Sequence, residues 1–218
     1  SINSALIQRA SSTDDRRALG SLVSRLLTTL GLLTAPGFLF LAWFAEDLFG
    51  FVFGTEWHEA GLYARALALP AFSLVLANAT DKMLDILDRQ AVAFVIELCY
   101  SLAALGGVLY GCILLEDAYL GILFAAVASF VGHLARISAV YFFWGFNYKP
   151  LLQLAGRLVL LLGGFALLFT GSELCSGGSR LLSVMIATGG LLAYFSIVAF
   201  LWLRSRRGAT EGPYVGPY

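Results

Sequence analysis

Six stretches of roughly twenty or more mostly apolar residues dominate this chain, and each is long enough to cross the ~30 Å hydrocarbon layer of a bilayer as a helix. They run Leu26–Ala45, Ala60–Thr80, Ala91–Leu115, Ala118–Phe146, Pro150–Ser172 and Leu181–Leu203. The first and last hold no charge, and Arg65, Glu97, Arg136 and Arg157 fall one to each of the other four. Such runs are too long and too evenly apolar for the alternating strands of a barrel, so helices are expected. Composition agrees. Apolar residues make up 59% of the 218 and charged residues 13%, too few polar groups to cover a water-facing surface. The expected fold is all-α: a polytopic membrane bundle of about six helices.

The connecting segments set the orientation. Those before the first run, after the second, after the fourth and after the sixth hold, with their flanks, Arg9, Arg16, Arg17, Arg25, Lys82, Arg89, Lys149, Arg157, Arg204, Arg206 and Arg207. The opposite side holds only Arg65 and Arg180, beside Glu46, Asp47, Glu56, Glu59, Glu116, Asp117 and Glu173. Basic residues mark the cytoplasmic side, so both termini are expected to be cytoplasmic, with the protein in the inner membrane. Residues 1–25 read as a cytoplasmic link after the end of a preceding helix, 26–203 as the membrane bundle and 204–218 as a disordered tail. No basic-then-apolar leader precedes the first run, so no cleavable signal is expected.

Several classes of chemistry find no support. Net charge is zero, which gives no argument for a nucleic-acid partner. Cys99, Cys112 and Cys175 lack metal-ligand spacing; the first two read as small core hydrophobes and the third as a loop residue. No nucleophile–base pair, phosphate-cradling glycine loop or metal cluster stands out, so no enzyme activity, cofactor or metal is expected.

The residues that need a reason are the charges inside lipid, each costing about 2.5–3.5 kcal/mol on the insertion scale. Arg65 precedes Pro70 in the second run. It can grip phosphate oxygens, snorkel to the outer headgroups, or pair with Glu56 or Glu59. Glu97 lies 19 positions before Glu116, and Arg136 lies 19 after Asp117. A tight hairpin at that acidic turn puts both about 28 Å below it, and they pair if their helix faces match. His133, three residues from Arg136, shares its face. The set reads either as a proton relay or, preferred, as an ion pair that orients two helices. Asn78, Asp81, Asp85 and Asp88 end the second run; Asp81 and Asp85 fall on one helical face and read mainly as a solvated helix end, or as the border of a cation or sugar path.

Pro36 and Pro70 are expected to kink their helices. Gly107 and Gly111 have the spacing for close backbone approach, and Gly106, Gly163-Gly164 and Gly189-Gly190 are expected to pack in the same way. Trp43, Phe44, Phe49, Phe51, Phe53 and Trp57 suit an outer interfacial belt; Tyr141, Phe142, Phe143, Trp144 and Tyr148 suit an inner one.

The stretch Phe53–Gly61, FGTEWHEAG, continues as LYARALALP to Pro70 and is followed by LDRQ at Leu87–Gln90. This order resembles the polysaccharide and O-antigen flippases of the multidrug/oligosaccharidyl-lipid/polysaccharide exporter superfamily. Their carboxy-terminal halves carry a similar FG-x-x-W-x-x-A stretch, a kinked helix and a Gly-Arg-Gln-like turn, where Asp88 here replaces the commoner glycine. The upstream INSALIQRASSTDDRRAL looks like the family's cytoplasmic link. The resemblance covers Ile2–Leu115; the later runs match by hydropathy. It implies one lobe of a two-lobe transporter that works by alternating access, with an amino-terminal lobe or partner chain elsewhere. The implied substrate is a lipid-diphosphate-linked oligosaccharide of polysaccharide or lipopolysaccharide biosynthesis, with membrane lipid and glycan-assembly proteins as partners. Arg65, Asn78, Asp81, Glu97, His133 and Arg136 are the substrate- or ion-pathway candidates. A multidrug or cation antiporter of the same superfamily, and a non-transporting scaffold of a glycan-assembly complex, are the alternatives.

Overall fold

A computed structural model of the chain describes residues 16–210, with side chains as far as Leu201. It is all-α, with no strand among the described residues. The helices are α1 (Arg16–Phe53), α2 (His58–Asn78), α3 (Met83–Ile86), α4 (Gln90–Leu109), α5 (Ala118–Trp144), α6 (Lys149–Cys175) and α7 (Arg180–Thr210). Short turns join them: a 3-10 turn at Thr55–Trp57 and a π turn at Tyr110–Leu114. Six helical stretches are long and apolar enough to cross a membrane, as the apolar runs require.

Element bounds depart from the expected ones at both ends. The first helix starts at Arg16 and continues for 38 residues, about 57 Å at 1.5 Å per residue. Glu46 and Asp47 therefore belong to a helix rather than a connector. Of the expected 1–25 link, residues 1–15 lie outside the described residues and the rest is helical. Of the expected 204–218 tail, α7 takes up the part through Thr210, and 211–218 lie outside the described residues. Pro36 and Pro70 sit inside unbroken helices.

The chain divides into two compact units at Leu167/Leu168, within α6. In the first, α1 packs on α2, α2 on α5 and α5 on α4. Val23, Leu27, Leu76, Met83, Leu84, Val140 and Tyr141 form its buried centre near the basic edge. Three glycine contacts set the spacing. A β-carbon on Gly61 would lie 2.7 Å from Ala45 O, so α2 crosses α1 backbone to backbone there. A β-carbon on Gly111 would overlap Gly121 Cα, and one on Gly107 would come within 2.8 Å of Phe124 Cβ. The α4–α5 hairpin is thus closed on small residues, the packing that lipid favours where no hydrophobic force acts between helices. A β-carbon on Gly106, Gly163, Gly164 or Gly189 would meet no packed neighbour within 4 Å among the described residues, contrary to the close approach expected of them.

The second unit holds the end of α6, the Ser176–Ser179 turn and α7. Ser176 and Ser183 share a hydrogen bond of 2.8 Å, and Ser183 Oγ also donates to Ser172 O at 3.4 Å. Gly190 faces Leu168, and Arg180 pairs with Glu173 at 3.3 Å.

The aromatic belts are only partly as expected. Phe51, Phe53, Trp57 and Phe142 are exposed, as a belt requires. Phe44, Tyr141 and Trp144 are buried. Tyr141 shares a 2.9 Å hydrogen bond with Ser24, and Trp144 Nε1 donates to Met83 O at 2.9 Å. A buried phenol or indole needs such a partner, so these two serve as core anchors rather than interfacial ones. Cys99 and Cys112, expected in the core, are exposed free thiols, as is Cys175, which lies at the end of α6 rather than in a loop.

Candidate functional site

Arg136 on α5 is the centre of the charged site. The α4–α5 hairpin places it as the position count from the acidic turn predicts: Arg136 Nη1 lies 3.8 Å from Glu97 Oε2 on α4. Its closer partner is Asp81, whose Oδ1 accepts a charge-assisted hydrogen bond from Nη2. Asp81 reaches it because α2 ends at Asn78 and the chain turns through Ala79–Lys82 before α3. The turn aims Asp81 at α5. Asp85, expected to share a helical face with Asp81, instead pairs with Lys82 at 3.2 Å. Helices α4 and α5 and the α2–α3 turn therefore meet on one guanidinium, with two carboxylates to its single positive charge. Arg136 Nε is buried and has no hydrogen-bond partner among the described residues.

His133, one turn from Arg136, faces a different partner. Its Nδ1 lies 2.8 Å from Ser73 Oγ on α2, and Ser73 Oγ donates to Pro70 O at 2.9 Å. Ser73 Oγ thus bridges the imidazole on α5 and the Pro70 carbonyl of α2. Tyr100 of α4 packs edge-on against the ring, with centroids 5.5 Å apart. Gly132 leaves the room Tyr100 occupies. The residues His133 and Arg136 thus hold α5 against α2 and α4 by two separate polar contacts one turn apart. The imidazole and the Asp81 and Glu97 carboxylates make two neighbouring polar contacts, with no direct hydrogen bond between them.

Arg65 stands apart, near the outer end of α2. It pairs with Glu46 at 2.7 Å and donates to Ala42 O at 3.0 Å and Trp43 O at 3.2 Å. The expected partners were Glu56 and Glu59; the continuation of α1 past Ala45 brings Glu46 within reach instead, and Glu59 accepts from the Tyr63 hydroxyl at 3.1 Å. Asn78 is exposed, and its side chain makes no hydrogen bond among the described residues. The structure therefore gathers Asp81, Glu97 and Arg136, sets His133 beside them, and leaves Arg65 and Asn78 outside.

The residues of the FGTEWHEAG and LDRQ stretches have local backbone roles. Gly54 adopts φ 107°, outside the range a side chain tolerates, and lets α1 end and α2 begin. Trp57 packs against Phe53 with ring centroids 5.7 Å apart. Asp88 adopts φ 54°, the left-handed region in which glycine is free of strain and aspartate is tolerated. Arg89 sits over the Phe143 ring at 5.4 Å.

No known family, curated protein or solved structure matches this chain. Among the described residues no group of three or more histidine, cysteine or carboxylate side chains is placed to hold a metal ion.

Proposed function

We propose that this protein is a membrane transporter, forming one lobe of a two-lobe machine that moves lipid-diphosphate-linked oligosaccharide across the cytoplasmic membrane. The observation that carries the transport reading is the Asp81–Arg136–Glu97 network within helices that are long and apolar enough to span a bilayer. Charges held at that depth are expensive, and intramembrane ionisable groups commonly mark ion or substrate paths. The substrate class rests on the resemblance of Phe53–Gly61 and Leu87–Gln90 to polysaccharide flippases. Asp88 supports it: the position where that family carries glycine has the backbone conformation that glycine suits. The eleven-to-two distribution of basic residues supports an orientation with both termini inside.

Surface glycan display tests the reading. Cells relying on the protein with Arg136→Gln should keep the chain in the membrane, lose surface glycan and accumulate lipid-linked sugar on the inner leaflet. Undiminished surface glycan from a fully inserted Arg136→Gln protein refutes it.

A second reading has its own support. Two carboxylates share one guanidinium, so the site has an excess of negative charge, which suits a cation better than a phosphate. The site then serves a coupling ion, or the protein is a cation or drug antiporter of the same superfamily. Loss of cation-driven efflux on Asp81→Asn, with glycan display intact, selects the antiporter.

A further inference from the structure

At the basic edge of the first unit, α1, the end of α5 and the start of α6 border two adjoining open clefts of about 590 Å³ and 420 Å³ that share Ser21, Ser24 and Pro150. Two polar stripes at helical spacing run along their walls, beside Trp144, Gly145 and Phe146. Arg17, Ser21, Arg25 and Thr28 repeat every three to four residues along α1, and Pro150, Gln153 and Arg157 do the same along α6. Residues so spaced share a helix face, and here each helix turns its polar face toward the other. Arg16, Arg17, Arg25 and Arg157 line the cleft, and among the described residues no carboxylate does.

That imbalance sets the cleft apart. Arg65, Arg136 and Arg180 each hold a carboxylate. Arg16, Arg25 and Arg157 have no acidic partner among the described residues. Snorkelling would carry each arginine separately to the headgroup region. It does not account for two helices directing polar stripes at a common space large enough for a small ligand. The amino-terminal turn of the long helix α6 borders the same space through Asn147 and Pro150, adding a positive helix end to the arginines.

We infer that this cleft binds a phosphoryl anion. Guanidinium groups grip phosphate oxygens through paired, charge-assisted hydrogen bonds, and Ser21, Thr29 and Gln153 supply further polar groups along its length. The inference stands apart from the flippase reading, because any phosphomonoester or diphosphate at this edge offers the same oxygens. The anion is either the head of a membrane lipid or a soluble phosphate.

The experiment uses the purified full chain in a non-ionic detergent, titrated with dioleoyl phosphatidic acid, with phosphatidylcholine, and with inorganic diphosphate. Binding is read by native mass spectrometry. Phosphatidic acid is expected to bind saturably and phosphatidylcholine weakly. The double change Arg25→Gln/Arg157→Gln should weaken binding at least about tenfold, since each arginine supplies a charge-assisted bond. Arg180→Gln should leave it unchanged. Diphosphate that binds with the same sensitivity to Arg25 and Arg157 supports the inference with a soluble ligand; phosphatidic acid alone supports it with a lipid. Binding of neither, or equal losses from the double change and from Arg180→Gln, overturns it. On the unaltered chain, a photoactivatable phosphatidic acid should label peptides within 16–29 and 147–157. Labelling confined to other segments also overturns it.

Discussion

Arg136 is held by partners of unequal shielding, which gives an ordering that can be measured. The guanidinium side chain is 17% exposed, Asp81 31% and Glu97 55%. At the 3.8 Å separation of Arg136 and Glu97, an effective dielectric of 20 gives a gross attraction of about 4 kcal/mol. Much of that is offset by desolvation and side-chain ordering, and the openness of Glu97 brings its net share to under about 1 kcal/mol. Asp81 is closer to Arg136 and more enclosed, so Asp81→Asn should cost about 2 kcal/mol. Arg136→Gln removes both contacts at once and should cost about 2–3 kcal/mol, below a fully buried pair because Asp81 and Glu97 stay open to solvent. Thermal unfolding of the detergent-purified chain, with each variant alone and the Asp81→Asn/Arg136→Gln double variant, reads the order. The double variant should cost at least about 1 kcal/mol less than the two single costs together, because the pair is lost only once. If Glu97→Gln lowers the unfolding temperature more than Asp81→Asn does, the assignment of Asp81 as the main partner is wrong.

Three further outcomes follow from local geometry. Asp88→Gly should stabilise by about 0.5–1 kcal/mol and Asp88→Val destabilise by about 1–2 kcal/mol, because the left-handed conformation strains a β-branched side chain; paired melting curves check both signs. Gly111→Leu should force α4 off α5 at Gly121 and cost about 3 kcal/mol, and cysteine cross-linking between the two helices should report the separation. Ser73→Ala removes the hydroxyl that partners the buried His133 Nδ1 and should cost about 1–3 kcal/mol. His133→Phe in that background should recover much of the loss, which a thermal shift measures.

The membrane fold was legible because lipid leaves few choices: a run of twenty apolar residues has to satisfy its own backbone. The Glu97–Arg136 approach was legible too, since a tight hairpin converts position count into depth. What escaped was the lateral neighbour. Asp81 lies in a turn whose direction depends on where α2 stops, and nothing in the local pattern marks Asn78 as the last helical residue. A comparison of depths across three helices would have put Asp81 beside the pair. Glu46 escaped for a related reason: it stood as a boundary because charge interrupts an apolar run, yet the helix continues through it and Arg65 meets it from α2. Tyr141 and Trp144 were misplaced because a cluster of aromatics looks the same from sequence whether it faces lipid or the core; only the partners Ser24 and Met83 decide. The α1–α6 cleft left a trace in the three-to-four spacing of its polar residues, but which helix faces which is a tertiary fact.

The first helix is about 57 Å long, nearly twice the thickness of the oily layer it crosses, and it has no interruption between Arg16 and Phe53. Pro36 lies near its midpoint and cannot donate to the helix ladder, so the rod has a built-in place to bend. Its arginine-bearing foot and its Phe49–Phe53 tip, at opposite margins of the bilayer, are two arms that can change angle at that proline.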